Sequence, residues 1–150
     1  MPVEENIQLM QRWFQEVWNE GRIQTIYDLL ASNAVAKGQS GGESEIRGPE
    51  EFARFVQQIR AAFRDVKLQV EDIFGAKDEV VIRWSAVMTH TGDAFGVSAT
   101  GKSVRTRGVT IARIENGKII EGWDNWDQLG MLEQIGALQR IQPAILAETA

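Results

Sequence analysis

The chain has 150 residues, 43% of them hydrophobic and 25% charged, which suits one domain with its own core and leaves little room for a second. It has no cysteine, which excludes a disulfide framework and a thiolate nucleophile, and one histidine, His90, which argues against a zinc site. A net charge of −5 argues against nucleic acid or an anionic membrane as the main partner, and no apolar run is long enough to span a bilayer.

The opening Met1-Pro2-Val3-Glu4-Glu5 is acidic and lacks the basic and apolar regions of a signal peptide, so a cytoplasmic location is expected. Ile7, Met10, Phe14 and Val17 then recur at helical spacing, and Gly21 ends that helix. A second short helix carries Ile23, Ile26, Tyr27 and Leu30 on one face. Ser32 to Gly48, rich in glycine and without hydrophobic period, reads as a loop or lid. Gly48-Pro49-Glu50-Glu51 starts a third helix, with proline at its head and acids in its first turn, and with Phe52, Phe55, Val56, Ile59 and Phe63 on one face.

The period then becomes two. Val66, Leu68 and Val70 alternate with polar residues, and Val80 to His90, Ser103 to Ile114 and Lys118 to Asp127 read as longer strands. Thr91 to Lys102 is a wide connection, Glu115-Asn116-Gly117 is a turn, and Leu129 to Gly136 supplies a last helical turn or two. Leu138, Ile141, Ile145 and Leu146 give the tail, 137–150, apolar character suited to packing on the body or on a second subunit. Helices followed by a meander of strands predict an α+β domain. In it a curved, mostly antiparallel sheet wraps three N-terminal helices into a cone-shaped barrel with an interior. Trp84, Ala86 and Met88 lie on one side of a long strand and Val81 and Val87 on the other, so a homodimer through the outer sheet face is expected.

The turn at Asn116-Gly117 leaves two registers to weigh. A two-residue turn sets Val109 opposite Asp124, whereas a three-residue loop sets Gly108 opposite Asp124. The second is preferred, because it pairs Arg105 with Asp127 and Trp123 with Val109. It also gathers Gly108, Thr110, Ala112 and Gly122 on the face of Asp124 and Trp126. Four small residues around one carboxylate leave a hollow, in which desolvation raises the carboxyl pKa and suits it to general base and then general acid work. The residues alone keep a second reading open, in which Asp124 ends an exposed strand or pairs with Arg107. Trp126 is a candidate wall of the hollow. Phe14, Phe55 and Ile59 are core residues whose inward faces also line a cone. His90 reads first as a strand-end residue fixing the next loop and second as pocket rim, and Lys37 as a solvated residue in reach of a ligand from the lid.

Arg12 to Gly21, Thr89-His90-Thr91-Gly92, Gly96 to Lys102, Asn116 to Asp127 and Leu129 to Gly136 together resemble the SnoaL-like polyketide cyclase, or ester cyclase, family of the nuclear-transport-factor-2-like superfamily. Their order and spacing cover about Glu5 to Gly136 of one domain. The resemblance implies a cone-shaped, usually dimeric fold and an interior aspartate, here Asp124, as acid/base for an intramolecular aldol closure of a small apolar carbonyl substrate. It implies no metal and no cofactor. Family members can carry histidines facing the aspartate, where this chain has Thr110 and Gly122, and another near Lys37. Those departures keep open a non-catalytic protein binding a small apolar ligand, or a relative acting as hydroxylase or hydrolase.

Overall fold

A computed structural model describes residues 2–40 and 42–139, and the tail residues Ile141, Ile145 and Leu146 lie outside it. Helix α1 spans Val3–Trp13 and runs on into a wider π-type turn, Phe14–Asn19. Glu4 and Glu5 sit in its first turn, where carboxylates oppose the positive end of the helix dipole. The wide turn ends where Asn19 grips the first part of the sheet: its amide nitrogen donates to the Leu68 carbonyl at 2.9 Å and its oxygen accepts from the Leu68 N–H at 2.6 Å. Helix α2 (Ile23–Leu29) and helix α3 (Gly48–Ala62), which has proline in its first turn, complete the helical layer. A short α4 (Gln128–Gln134) is capped by the Asp127 side chain, which accepts from the Gly130 N–H at 2.9 Å.

Six strands form one mixed sheet that is not closed: β1 (Leu30–Lys37), β2 (Glu45–Arg47), β3 (Lys67–Ala76), β4 (Glu79–Thr89), β5 (Ser103–Glu115) and β6 (Lys118–Trp126), in the order β2-β1-β6-β5-β4-β3. The α+β class, the three N-terminal helices and the four long strands are as the sequence predicts. The lid expected over Ser32 to Gly48 is instead largely sheet. β1 runs parallel to β6, with Ala36 beside Gly122 and Lys37 beside Trp123, and β2 folds back on β1. β1 reads Leu-Ala-Ser-Asn-Ala-Val-Ala-Lys, so its buried face is mostly alanine and shows little hydrophobic contrast. Pairing with a strand 85 or more residues away decides it.

The inner face of β4 carries Val80, Ile82, Trp84, Ala86 and Met88, all buried beneath the helices. Met10, Val17, Ile26 and Val56 meet that face in the larger core cluster. A second cluster at the far end joins Phe63, Met88, Val104, Met131 and Ile135.

The β5–β6 hairpin takes neither register weighed above. Asn116 (φ 50°) and Gly117 (φ 73°) do make a two-residue turn between Glu115 and Lys118. An irregularity between Arg113 and Ile114 then advances β6 by one residue, so Arg113 faces Glu121, Thr110 faces Asp124 and Gly108 faces Trp126. Gly108 is not opposite Asp124, and Trp123 faces Ile111 rather than Val109. The Asp127 N–H bonds the Arg107 carbonyl, so the expected Arg105–Asp127 pairing is replaced as well. The true register differs from the preferred one by two residues, which preserves the face. Gly108, Thr110, Ala112 and Gly122 therefore still share a side with Asp124 and Trp126.

Candidate active site

Between the helices and the inner sheet face lies a cavity whose empty space, mouth included, is about 550 Å³. Trp18, Phe55, Ile59, Phe63, Val66, Leu68, Trp84, Ala86, Met88 and Trp126 give it an apolar wall, and Gln39, Thr106 and Asp124 are its polar members. Each wall residue comes from an element the sequence places inward. Leu68 and Trp18 are brought together by the Asn19 clamp, Phe55 and Ile59 stand one helical turn apart on α3, and Trp84, Ala86 and Met88 alternate along β4. A more polar hollow of about 590 Å³, open space included, shares Gln39, Phe55, Ile59 and Trp126 with the cavity and adds Ser40, Gln58, Asp93 and Gln128.

Asp124 is half-buried, with part of its surface opening on the cavity. Burial pushes its carboxyl from the ordinary 3.8 up to about 6, and the hydrogen bond from Thr110 works against that rise. Thr110 Oγ1 donates to Asp124 Oδ1, and the Trp84 indole N–H donates to the same Thr110 oxygen at 3.0 Å. An indole nitrogen only donates, so the single hydroxyl proton of Thr110 goes to Asp124. Oδ1 is thereby occupied, and Oδ2 is the oxygen left to gain or lose a proton.

The layer next to this chain is built on a missing side chain. Trp84, Gly108 and Trp126 are cross-strand neighbours. A Cβ on Gly108 would lie 2.6 Å from Trp84 Cζ2, 2.7 Å from Trp126 Cβ and 2.9 Å from the Asn125 carbonyl oxygen. Glycine therefore lets the two indoles close over the strand. The Trp126 indole N–H is anchored in turn on the Gln39 carbonyl at 2.9 Å.

Of the residues singled out from sequence, Asp124, Trp126, Phe55 and Ile59 line the cavity, Thr110 bonds the carboxylate, and Gly108 shapes the wall. Ala112 and Gly122 face each other further along the same side, outside the lining. Phe14 lies in the core and not on the cavity. Lys37 is exposed at the end of β1 and borders a separate surface groove with Glu45 and Glu121, because a strand replaces the expected lid. His90 is fully buried away from the cavity. Its Nδ1 accepts from the Thr100 N–H at 3.3 Å and lies 3.0 Å from Thr100 Oγ1, and its ring packs 5.5 Å from Phe63. Sequence reasoning missed Trp84 as a wall, although its alternation with Ala86 and Met88 signals the face. It missed Gln39 for want of any signal in a glycine-rich stretch.

Comparison with known proteins places the chain among relatives of one family. The family described as SnoaL-like polyketide cyclase matches residues 8–135. The aklanonic acid methyl ester cyclase DauD of Streptomyces sp. (strain C5) is 28% identical over 123 residues, 81% of this chain and 76% of its own. DnrD of Streptomyces peucetius, described by the same activity, is 28% identical over 81% of this chain and 84% of its own. The crystal structure of IdmH from Streptomyces antibioticus superposes with a TM-score of 0.75 at 28% identity, over 87% of this chain and 98% of that one.

Proposed function

The chain belongs to the SnoaL-like polyketide cyclase family, and from that premise we propose that it closes a ring in a small, largely apolar carbonyl compound by intramolecular aldol addition, with Asp124 as base and then acid. One observation carries the reading: a carboxyl in an apolar cavity with its pKa raised to about 6, within reach of neutrality.

In the ionised state Asp124 Oδ2 takes a proton from a carbon next to a carbonyl. The electron pair of that C–H bond passes into an enolate. The same carbon attacks a second carbonyl carbon of the folded substrate, a C–C bond forms, and the carbonyl π pair becomes an alkoxide. Asp124 returns its proton to that alkoxide and is again a carboxylate. No electron is gained or lost, so the step calls for neither redox partner nor cofactor. The aromatic walls supply orientation by holding the two reacting carbons near each other.

Aklanonic acid methyl ester, named in the activity of DauD and DnrD, is the probe for this reading. Native protein is expected to cyclise it, or a close analogue, and Asp124→Asn to lose about 10²- to 10⁴-fold in kcat. Undiminished turnover by Asp124→Asn would sink the assignment. Binding by the native protein without turnover would make the cavity a ligand carrier's.

The outer sheet face supports pairing of two copies as a second part of the reading. Phe74, Val87 and Val109 are 59%, 40% and 38% exposed there, on strands whose other face is already covered. Sedimentation of a monomer at micromolar concentration would reject it.

A further inference from the structure

The acid accounts for only half of the proposed chemistry, because the enolate also builds negative charge on an oxygen. In an apolar cavity that oxygen needs a donor. The polar groups on the wall are mostly committed elsewhere. The Trp84 N–H serves Thr110, the Trp126 N–H serves the Gln39 carbonyl, and the Thr106 hydroxyl donates to the Asp127 carbonyl at 3.0 Å. Among the described residues, the side-chain amide of Gln39 makes no hydrogen bond, although the residue is only 7% exposed and borders both the cavity and its polar annex. Among the described residues the Trp18 N–H is also uncommitted. That ring belongs to an edge-to-face cluster with Phe52 and Phe55, at 6.3 and 6.0 Å, and not to the segment that lies on Asp124.

Gln39 lines the same cavity as the acid and follows a residue packed on the main chain of Asp124. The preceding Gly38 has φ +82°, and a Cβ there would sit 2.0 Å from the Asp124 carbonyl oxygen, so the backbone at Gly38 lies directly against β6 at the catalytic position. The Trp126 indole then pins the Gln39 carbonyl from the other side. Among the described residues, backbone contacts fix this position and leave its side chain free for a ligand.

We propose that the side-chain amide of Gln39 is a second catalytic group, donating a hydrogen bond to the substrate carbonyl oxygen on which charge builds as Asp124 removes the neighbouring proton. The assignment rests on the aldol reading above. The amide has no titration of its own, so it donates at every pH at which Asp124 is ionised. No proton is transferred from it. It holds the enolate oxygen while the carbon reacts.

The test uses 1-tetralone and its hydrocarbon counterpart tetralin, two neutral bicyclic probes that differ by one carbonyl. Binding of each is measured by calorimetry at pH 8, where Asp124, titrating at about 6, is a carboxylate and accepts only. Gln39→Leu is expected to weaken the ketone roughly tenfold relative to the hydrocarbon, the effect of leaving one buried acceptor unpaired. Gln39→Met serves as a second variant, and both keep the Trp126 contact because it uses the main chain. An unchanged ketone-to-hydrocarbon ratio in a folded variant, or no measurable ketone binding by the native protein, overturns the proposal. The readout is independent of turnover. An unchanged ratio beside an inactive Asp124→Asn removes Gln39 alone, whereas an active Asp124→Asn removes the aldol reading itself.

Discussion

Asp124, near the end of β6, and His90, just past β4, are built alike. Each is an ionisable side chain withdrawn from solvent, His90 fully and Asp124 in part, and each is held through one of its atoms by a threonine. They differ in what the other atom meets. Asp124 Oδ2 is left to a cavity of about 550 Å³, whereas His90 Nε2 is buried without a partner among the described residues, beside the ring of Phe63. On the proposed reading, enclosure alone therefore does not make a reactive group. It needs an adjoining space that a substrate can fill, and only the carboxylate has one.

Paired substitutions test this contrast most strongly. Asp124→Asn should remove about 10²- to 10⁴-fold of turnover with the fold intact, and His90→Leu should leave turnover per folded molecule within about twofold. A steady-state assay on both variants decides it, and a collapse in the folded His90 variant would break the comparison. His90→Leu should instead lower stability by about 1–3 kcal/mol, because the Thr100 N–H loses its buried acceptor. Denaturant unfolding at neutral pH reads that loss.

Next in size is the cost of ionising Asp124. The unfolded chain releases this proton near 3.8 and the folded one near 6. Between those values the native state holds more protons, so stability falls as pH rises through that window. A shift of this size corresponds to about 3 kcal/mol, and contact with solvent in the cavity reduces it to about 1–2 kcal/mol. Melting curves at pH 4 and pH 8 should show that slope in native protein and not in Asp124→Asn. Activity runs the other way, since only the carboxylate takes a proton: kcat/KM should climb through about pH 6 and level off above it. Thr110→Val is the finest test. It removes the bond that opposes the raised pKa, so the midpoint of that profile should move higher still.

The same two residues show how far the sequence could be read. Period-two alternation located β4, β5 and β6, and parity alone kept Thr110, Asp124 and Trp126 on one face. Parity survived an error in register, since the hairpin slipped by two residues and not by one. One residue of that slip comes from the two-residue turn and the other from the bulge that leaves Ile120 unpaired between Arg113 and Ile114, a backbone feature with no composition of its own. β1 was illegible for another reason: alanine, serine and asparagine carry too little contrast to mark a strand, and its partner is far away in the chain. Gln39 stood in a stretch without periodicity. It becomes meaningful only once Gly38 is seen against Asp124.

Three of the five tryptophans, Trp18, Trp84 and Trp126, line the cavity, while Trp13 lies in the core and Trp123 on the outer side of β6. The molecule thus carries its own optical reporter. A ligand that replaces water beside those three indoles shifts their emission to shorter wavelength, and the other two supply a constant background. Libraries of unlabelled carbonyl compounds can be screened on the native protein by this signal alone, before any product is identified.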